Sequence, residues 1–162
     1  LNTYYGEITD ARIVPLVKAA IKRGHPVTVL TNSCKNVAFN CKINKQLQKM
    51  FNDKKINLIY HEDMDYDQFS SYLKRQGVKS LIYTGFASNM CVTDRNMGMI
   101  PRLHRFKMFF IPEASAAVEN SDSWEDKTIH KFSTNVISQW IGGIIDYDDM
   151  LSTLSANWIF LK

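Results

Sequence analysis

The chain switches repeatedly between short apolar runs and stretches in which apolar residues recur every three or four positions. Ile13, Val14, Leu16, Val17, Ala20 and Ile21 follow the second pattern. They predict a helix over about 10–23, capped by Asp10 and closed by Gly24. Pro-Val-Thr-Val-Leu at 26–30 predicts a strand, and the small and polar residues of 31–41 a loop. A basic helix over about 43–51 and a strand over 56–60 follow. The acidic loop His61-Glu62-Asp63-Met64-Asp65 then leads into a helix over about 67–75, closed by Gly77. After a central strand beginning at Ser80, the pattern predicts a strand over 107–111 and a helix over about 129–140. A short strand at 142–145 and a last helix near 147–154 complete it. Strands alternating with helices through short loops predict an α/β fold with a parallel sheet covered on both faces. No repeat, low-complexity tract or linker divides residues 1–162, which read as one domain.

The stretch from Ser80 to Val92 organises the rest. Ser-Leu-Ile-Tyr-Thr is a short apolar run that ends in Gly85 and small residues, then reaches Cys91 where a helix is expected to begin. Such a run reads as a buried strand, and loops leaving the carboxyl ends of parallel strands are where ligands bind. A thiol at a helix start faces unpaired backbone N–H groups and the positive end of the helix dipole. Both favour the nucleophilic thiolate, and the same N–H groups can hold an oxyanion. The alternative reading of Cys91 is a small buried apolar residue.

Composition narrows the classes. A chain of 162 residues, 45% hydrophobic and 22% charged, is ordinary for a globular protein with a sizeable core. No apolar stretch has membrane-spanning length, so no membrane partner is expected. The net charge of +4 is too mild to indicate nucleic acid. Three cysteines without regular spacing do not suggest a disulfide framework, which makes the cytoplasm the expected compartment. Cys34 and Cys41 lack nearby histidines at ligand spacing, so no zinc site is expected, and no glycine-rich phosphate loop is present.

The run Gly85-Phe86-Ala87-Ser88-Asn89-Met90-Cys91-Val92 resembles the nucleophile motif of the isochorismatase-like cysteine hydrolases. The resemblance extends over most of the chain, through Gly24-His25-Pro26-Val27, Gly77-Val78-Lys79-Ser80-Leu81, Pro112-Glu113-Ala114 and Ile145-Asp146-Tyr147-Asp148-Asp149-Met150-Leu151. It implies a three-layer α/β/α sandwich with a mainly parallel sheet and a catalytic Asp, Lys and Cys. Cys91 would be the nucleophile, the N–H groups of Ala87 and Cys91 the oxyanion hole, and the peptide joining Phe86 to Ala87 cis. Phe86 and Asn89 would border the substrate. The reaction implied is hydrolysis of an amide, ureide or related C–N bond of a small molecule, without cofactor or metal, in a protein that self-associates. The metal-binding Asp-x-His cluster of some amidases in that family has no match here.

Two departures stand out. The aspartate of the resemblance would lie about two positions before Leu1, so a preceding strand is expected, whose absence would leave an unpaired slot in the sheet. An intact mass of 18.7 kDa for the expressed protein would contradict that expectation. The lysine position falls on Glu62 or Asp63, which cannot supply a positive charge. Arg95 can provide the cation or be a surface arginine; Glu62 and Asp63 can line the pocket or be a solvated loop. His61 can act as a base toward Cys91 or be a satisfied polar residue. Arg102, His104, Arg105 and Lys107 read as the basic end of the Cys91 helix. Trp158-Ile159-Phe160-Leu161 reads as an apolar tail against the sheet or another subunit. Loss of both Asp and Lys leaves a second reading, a non-catalytic member that binds a ligand or protein. A flavodoxin-like nucleotide module lacks its phosphate loop.

Overall fold

A computed structural model describes residues 2–33 and 43–156. Cys34, Cys41 and the 158–161 tail lie outside them. The helices are α1 (Asn2–Ile8), α2 (Val14–Lys22), α3 (Lys45–Asn52), α4 (Tyr66–Arg75), α5 (Cys91–Asp94), α6 (Thr128–Val136) and α7 (Tyr147–Ser155). The strands are β1 (Thr28–Thr31), β2 (Asn57–Tyr60), β3 (Ser80–Phe86), β4 (Lys107–Ala116) and β5 (Gly143–Ile144). All strand pairs are parallel, so the fold is mixed α/β as the alternation predicts.

Local signals account for most element ends. Gly24 and Gly77 hold the positive φ values, 75° and 70°, that end α2 and α4. Asp65 and Gln68 close a capping box on α4, and Asp146 accepts the first free amides of α7. The first helical segment departs from expectation by starting at Asn2 and passing through a π-helical turn, Thr9–Ile13, before α2. Pro15 explains the turn: a proline inside a helix removes an N–H and crowds the carbonyl four residues earlier. The Val14 N–H reaches back five residues to the Thr9 carbonyl and relieves that crowding.

The strands form two sheets rather than one. β1 pairs with β2, while β3, β4 and β5 form the second sheet in that order. Among the described residues β1 and β3 each have one paired edge. Helices tie the sheets together. Val14 and Val17 of α2 pack with Leu47 and Met50 of α3 and Val29 of β1, while Leu16 packs with Ile111, Ala114 and α7. Phe69 and Leu73 of α4 meet Leu30 of β1, Ile59 of β2 and Leu81 of β3. Met108 and Phe110 of β4 pack on Ile137, just beyond α6.

β4 runs past its expected end to Ala116. The register moves from Tyr83 opposite Phe110 to Gly85 opposite Ser115, an irregularity that contains Pro112, where a missing N–H breaks no ladder. Gly142 lets the chain approach β4, since a Cβ there would lie 2.6 Å from the Met108 carbonyl oxygen.

Candidate active site

The loop from β3 into α5 is built by its own backbone. The Ala87 carbonyl accepts the N–H groups of Met90 (3.0 Å) and Val92 (3.1 Å), and the Ser88 N–H donates to Ala116 O at 2.9 Å. The Asn89 side-chain oxygen accepts the Val118 N–H at 3.0 Å, so this residue braces the loop against the chain leaving β4. The Phe86–Ala87 peptide is cis. Cys91 is half-buried at the first position of α5. Within the described residues, neither the Ala87 nor the Cys91 N–H has an acceptor. The expected Cys91 helix is a single turn, because Arg95 is already extended at φ −97° and ψ 167°. A four-residue helix contributes little dipole, so the individual loop N–H groups matter more than the helix.

One wall of the loop is aromatic. Phe86 stacks on Tyr5 with ring centroids 4.2 Å apart and planes 7° from parallel, and the Tyr5 hydroxyl donates to Ala117 O at 2.9 Å. Burial pushes the Tyr5 phenol up, and the nearby Glu119 carboxylate adds to this. Tyr4 meets Trp124 edge-on, and the Lys127 ammonium lies 3.7 Å from the centre of the Trp124 ring. Tyr4, Tyr5, Trp124 and Lys127 were not singled out from sequence; the Tyr4-Tyr5 pair is the one local signal.

Of the remaining candidates, His61, Glu62 and Arg95 line a polar cavity of about 350 Å³ together with Asp94 and Asn96. Arg95 donates to the Asn32 side-chain oxygen at 2.5 Å, joining α5 to the end of β1, so it is not a bare surface arginine. Glu62 is exposed and accepts the Ser33 N–H at 3.1 and 3.3 Å, which holds its carboxyl below the usual range. Asp63 does not line the cavity; it turns back to accept the Tyr60 N–H at 3.3 Å. His61 is half-buried with an unpartnered Nδ1, and burial, then Arg95, lowers its pKa. No hydrogen bond links His61 to Cys91, so the Cys/His pair is not formed.

Arg102 also departs from expectation. It is fully buried, with its guanidinium near the Tyr66 and Phe69 rings and donating to Ser70 Oγ at 3.0 Å. It clamps α4 rather than complementing a helix dipole. Among the described residues, no group of three or more His, Cys, Asp or Glu is placed to hold a metal. No helix there is long and apolar enough to cross a membrane. No protein-family model and no curated protein matches this chain.

Proposed function

We propose that the chain is an isochorismatase-like cysteine hydrolase with a three-layer α/β/α fold, acting on an amide, ureide or related C–N bond of a small molecule. The observation that carries this reading is the pair of unpartnered N–H groups, Ala87 and Cys91, on the loop that presents the half-buried Cys91 thiol. The Cys91 sulfur adds to the substrate carbonyl, and the two amides hold the tetrahedral oxyanion. The C–N bond then breaks and the thiol proton leaves with the amine. Water adds to the thioester, releasing the carboxylic acid and restoring the thiol. Phe86 and Tyr5 supply a flat apolar wall suited to a planar substrate.

The test is to incubate the protein with a panel of small amides and ureides and weigh it intact. An acyl adduct that maps to Cys91 and vanishes in Cys91→Ala supports the reading. Product formation that persists in Cys91→Ala contradicts it.

One observation favours the second reading, a binding module without chemistry. Among the described residues no hydrogen bond joins the Cys91 thiol to a basic side chain, and the expected base, His61, lines the Arg95 cavity. Ligand binding without turnover, unchanged in Cys91→Ala, would establish that alternative. The proposal also places the protein in the cytoplasm as a homo-oligomer. The exposed Phe132 and Trp140, 68% and 77% accessible, support self-association. A monomeric mass in light scattering would remove that part.

A further inference from the structure

We propose that His130 is a positioning residue for the Cys91 loop, acting through the buried hydroxyl of Ser88. This rests on the reading of that loop as the reactive site. Ser88 has no exposed surface, and its Oγ lies 2.9 Å from His130 Nδ1 and 2.8 Å from Ser133 Oγ. The other ring nitrogen, His130 Nε2, lies 3.1 Å from the Pro112 carbonyl oxygen. A carbonyl only accepts, so Nε2 carries the proton of the neutral ring and Nδ1 is an acceptor. The Ser88 hydroxyl therefore donates to His130.

His130 is itself fixed. Its backbone N–H donates to Glu119 at 2.8 Å, and its ring meets Phe110 edge-on at 6.4 Å. The charged groups acting on the ring are Glu119 and Glu113; burial outweighs them and keeps the imidazole neutral near pH 7. The chain Pro112–His130–Ser88 thus ties the irregular part of β4, the first turn of α6 and the reactive loop into one unit. Ser88 directly follows Ala87 and lies three residues before Cys91, so a displaced Ser88 moves the Ala87 and Cys91 amides relative to the thiol. Hydrogen bonds that fix such a loop set both reactivity and geometry.

The experiment measures Cys91 carbamidomethylation by iodoacetamide at pH 7 in the wild type, Ser88→Ala, His130→Phe and His130→Asn. A second readout is the backbone amide spectrum of Asn89–Val92 and the ring nitrogen shifts of His130. Ser88→Ala and His130→Phe are expected to slow labelling by about tenfold, the effect of one buried hydrogen bond, while His130→Asn, which returns an acceptor, recovers most of it. The wild-type ring is expected as the Nε2–H tautomer, with the 89–92 amides displaced in Ser88→Ala. Wild-type labelling rates and unmoved amides in folded Ser88→Ala would overturn the proposal. So would a ring protonated on Nδ1. If wild-type Cys91 labels no faster than glutathione, the hydrolase reading fails by itself, and the amide displacements alone decide the role of His130.

Discussion

β3 and β4 are neighbours in one sheet and both read as apolar runs, yet the structure treats them differently. Six residues of β4 are buried: Met108, Phe110, Ile111, Ala114, Ser115 and Ala116. None in β3 is, and Ile82 remains 44% exposed. β4 lies between β3 and β5, with Phe110 and Ile111 on opposite faces against Ile137 and α7. β3 has a partner on one edge alone among the described residues. Burial is therefore decided by neighbours as much as by hydrophobicity. The Cys91 loop leaves the less buried strand and is fixed instead by contacts to the end of β4, through Ser88, Asn89 and His130.

The largest effect that would break this comparison is in the core. Phe110→Ala should cost about 3–5 kcal/mol of unfolding free energy, since it empties a fully buried ring site. Ile82→Ala should cost less than about 1 kcal/mol, because much of that side chain is already in water. Equal losses in urea titrations would show that β3 is buried after all.

Arg102 sharpens the contrast within the core. Its Nε and Nη2 are buried without a hydrogen bond among the described residues while Nη1 donates to Ser70 and Tyr66, so Arg102→Leu, which keeps most of the volume, should cost less than Arg102→Ala, which loses about 3 kcal/mol or more. A loss in Arg102→Leu as large as in Arg102→Ala would mean that the guanidinium itself, not its volume, holds α4.

Hydrogen exchange reads the two strands directly. Amides of β3 on the edge that has no partner among the described residues should exchange far faster than those of β4, which open only on deeper unfolding. Matching protection along both strands would contradict the one-sided pairing.

The smallest expected effect is with pH. His61 and His130 both have folded pKa values below the ordinary 6.5, chiefly through burial. The unfolded chain therefore takes up protons first, and stability, constant above that value, declines as pH falls through and below about 6.5. The Glu119 carboxyl adds to this at lower pH. Burial pushes it up, but Ser123 and the amides of His130 and Ile129 outweigh burial and hold it below the usual range. Urea midpoints between pH 7.5 and 5 should fall, and His61→Gln should flatten part of the slope. A flat profile would remove the buried neutral histidines.

Much of the element order was legible because each signal is local. Gly24 and Gly77 mark helix ends through chemistry within a turn of themselves, whereas Asp10, expected as a cap, lies inside the π-helical turn, and the caps formed by Asp65 and Asp146 were not read. Cys91 was legible for the same reason, from a run of adjacent residues. What escaped the sequence depends on distant partners. Pro15 bends its helix into a π turn, and Pro112 sits inside β4 only because the register shifts opposite Tyr83–Gly85. Arg102 looked like a helix-end charge because nothing near it in sequence announces Tyr66, Phe69 and Ser70. The Ser88–His130 bond spans 42 positions, and the Tyr5–Phe86 stack joins the first helix to the Cys91 loop. Asp63 was grouped with Cys91 by analogy and His61 by its place at a strand end, whereas Asp63 bonds back to the Tyr60 N–H and His61 lies beside Arg95.

The central claim, that the loop presents a reactive thiol, is tested most directly by iodoacetamide labelling followed by peptide mass spectrometry across pH 5.5–9, with Cys34 and Cys41 as internal controls. The account predicts that Cys91 labels about tenfold or more faster than the controls at pH 6.5 and keeps reacting well below the free-thiol value of about 8.5. Labelling of Cys91 that follows the controls, or its absence, would contradict the account and leave the thiol as a structural residue of a binding module.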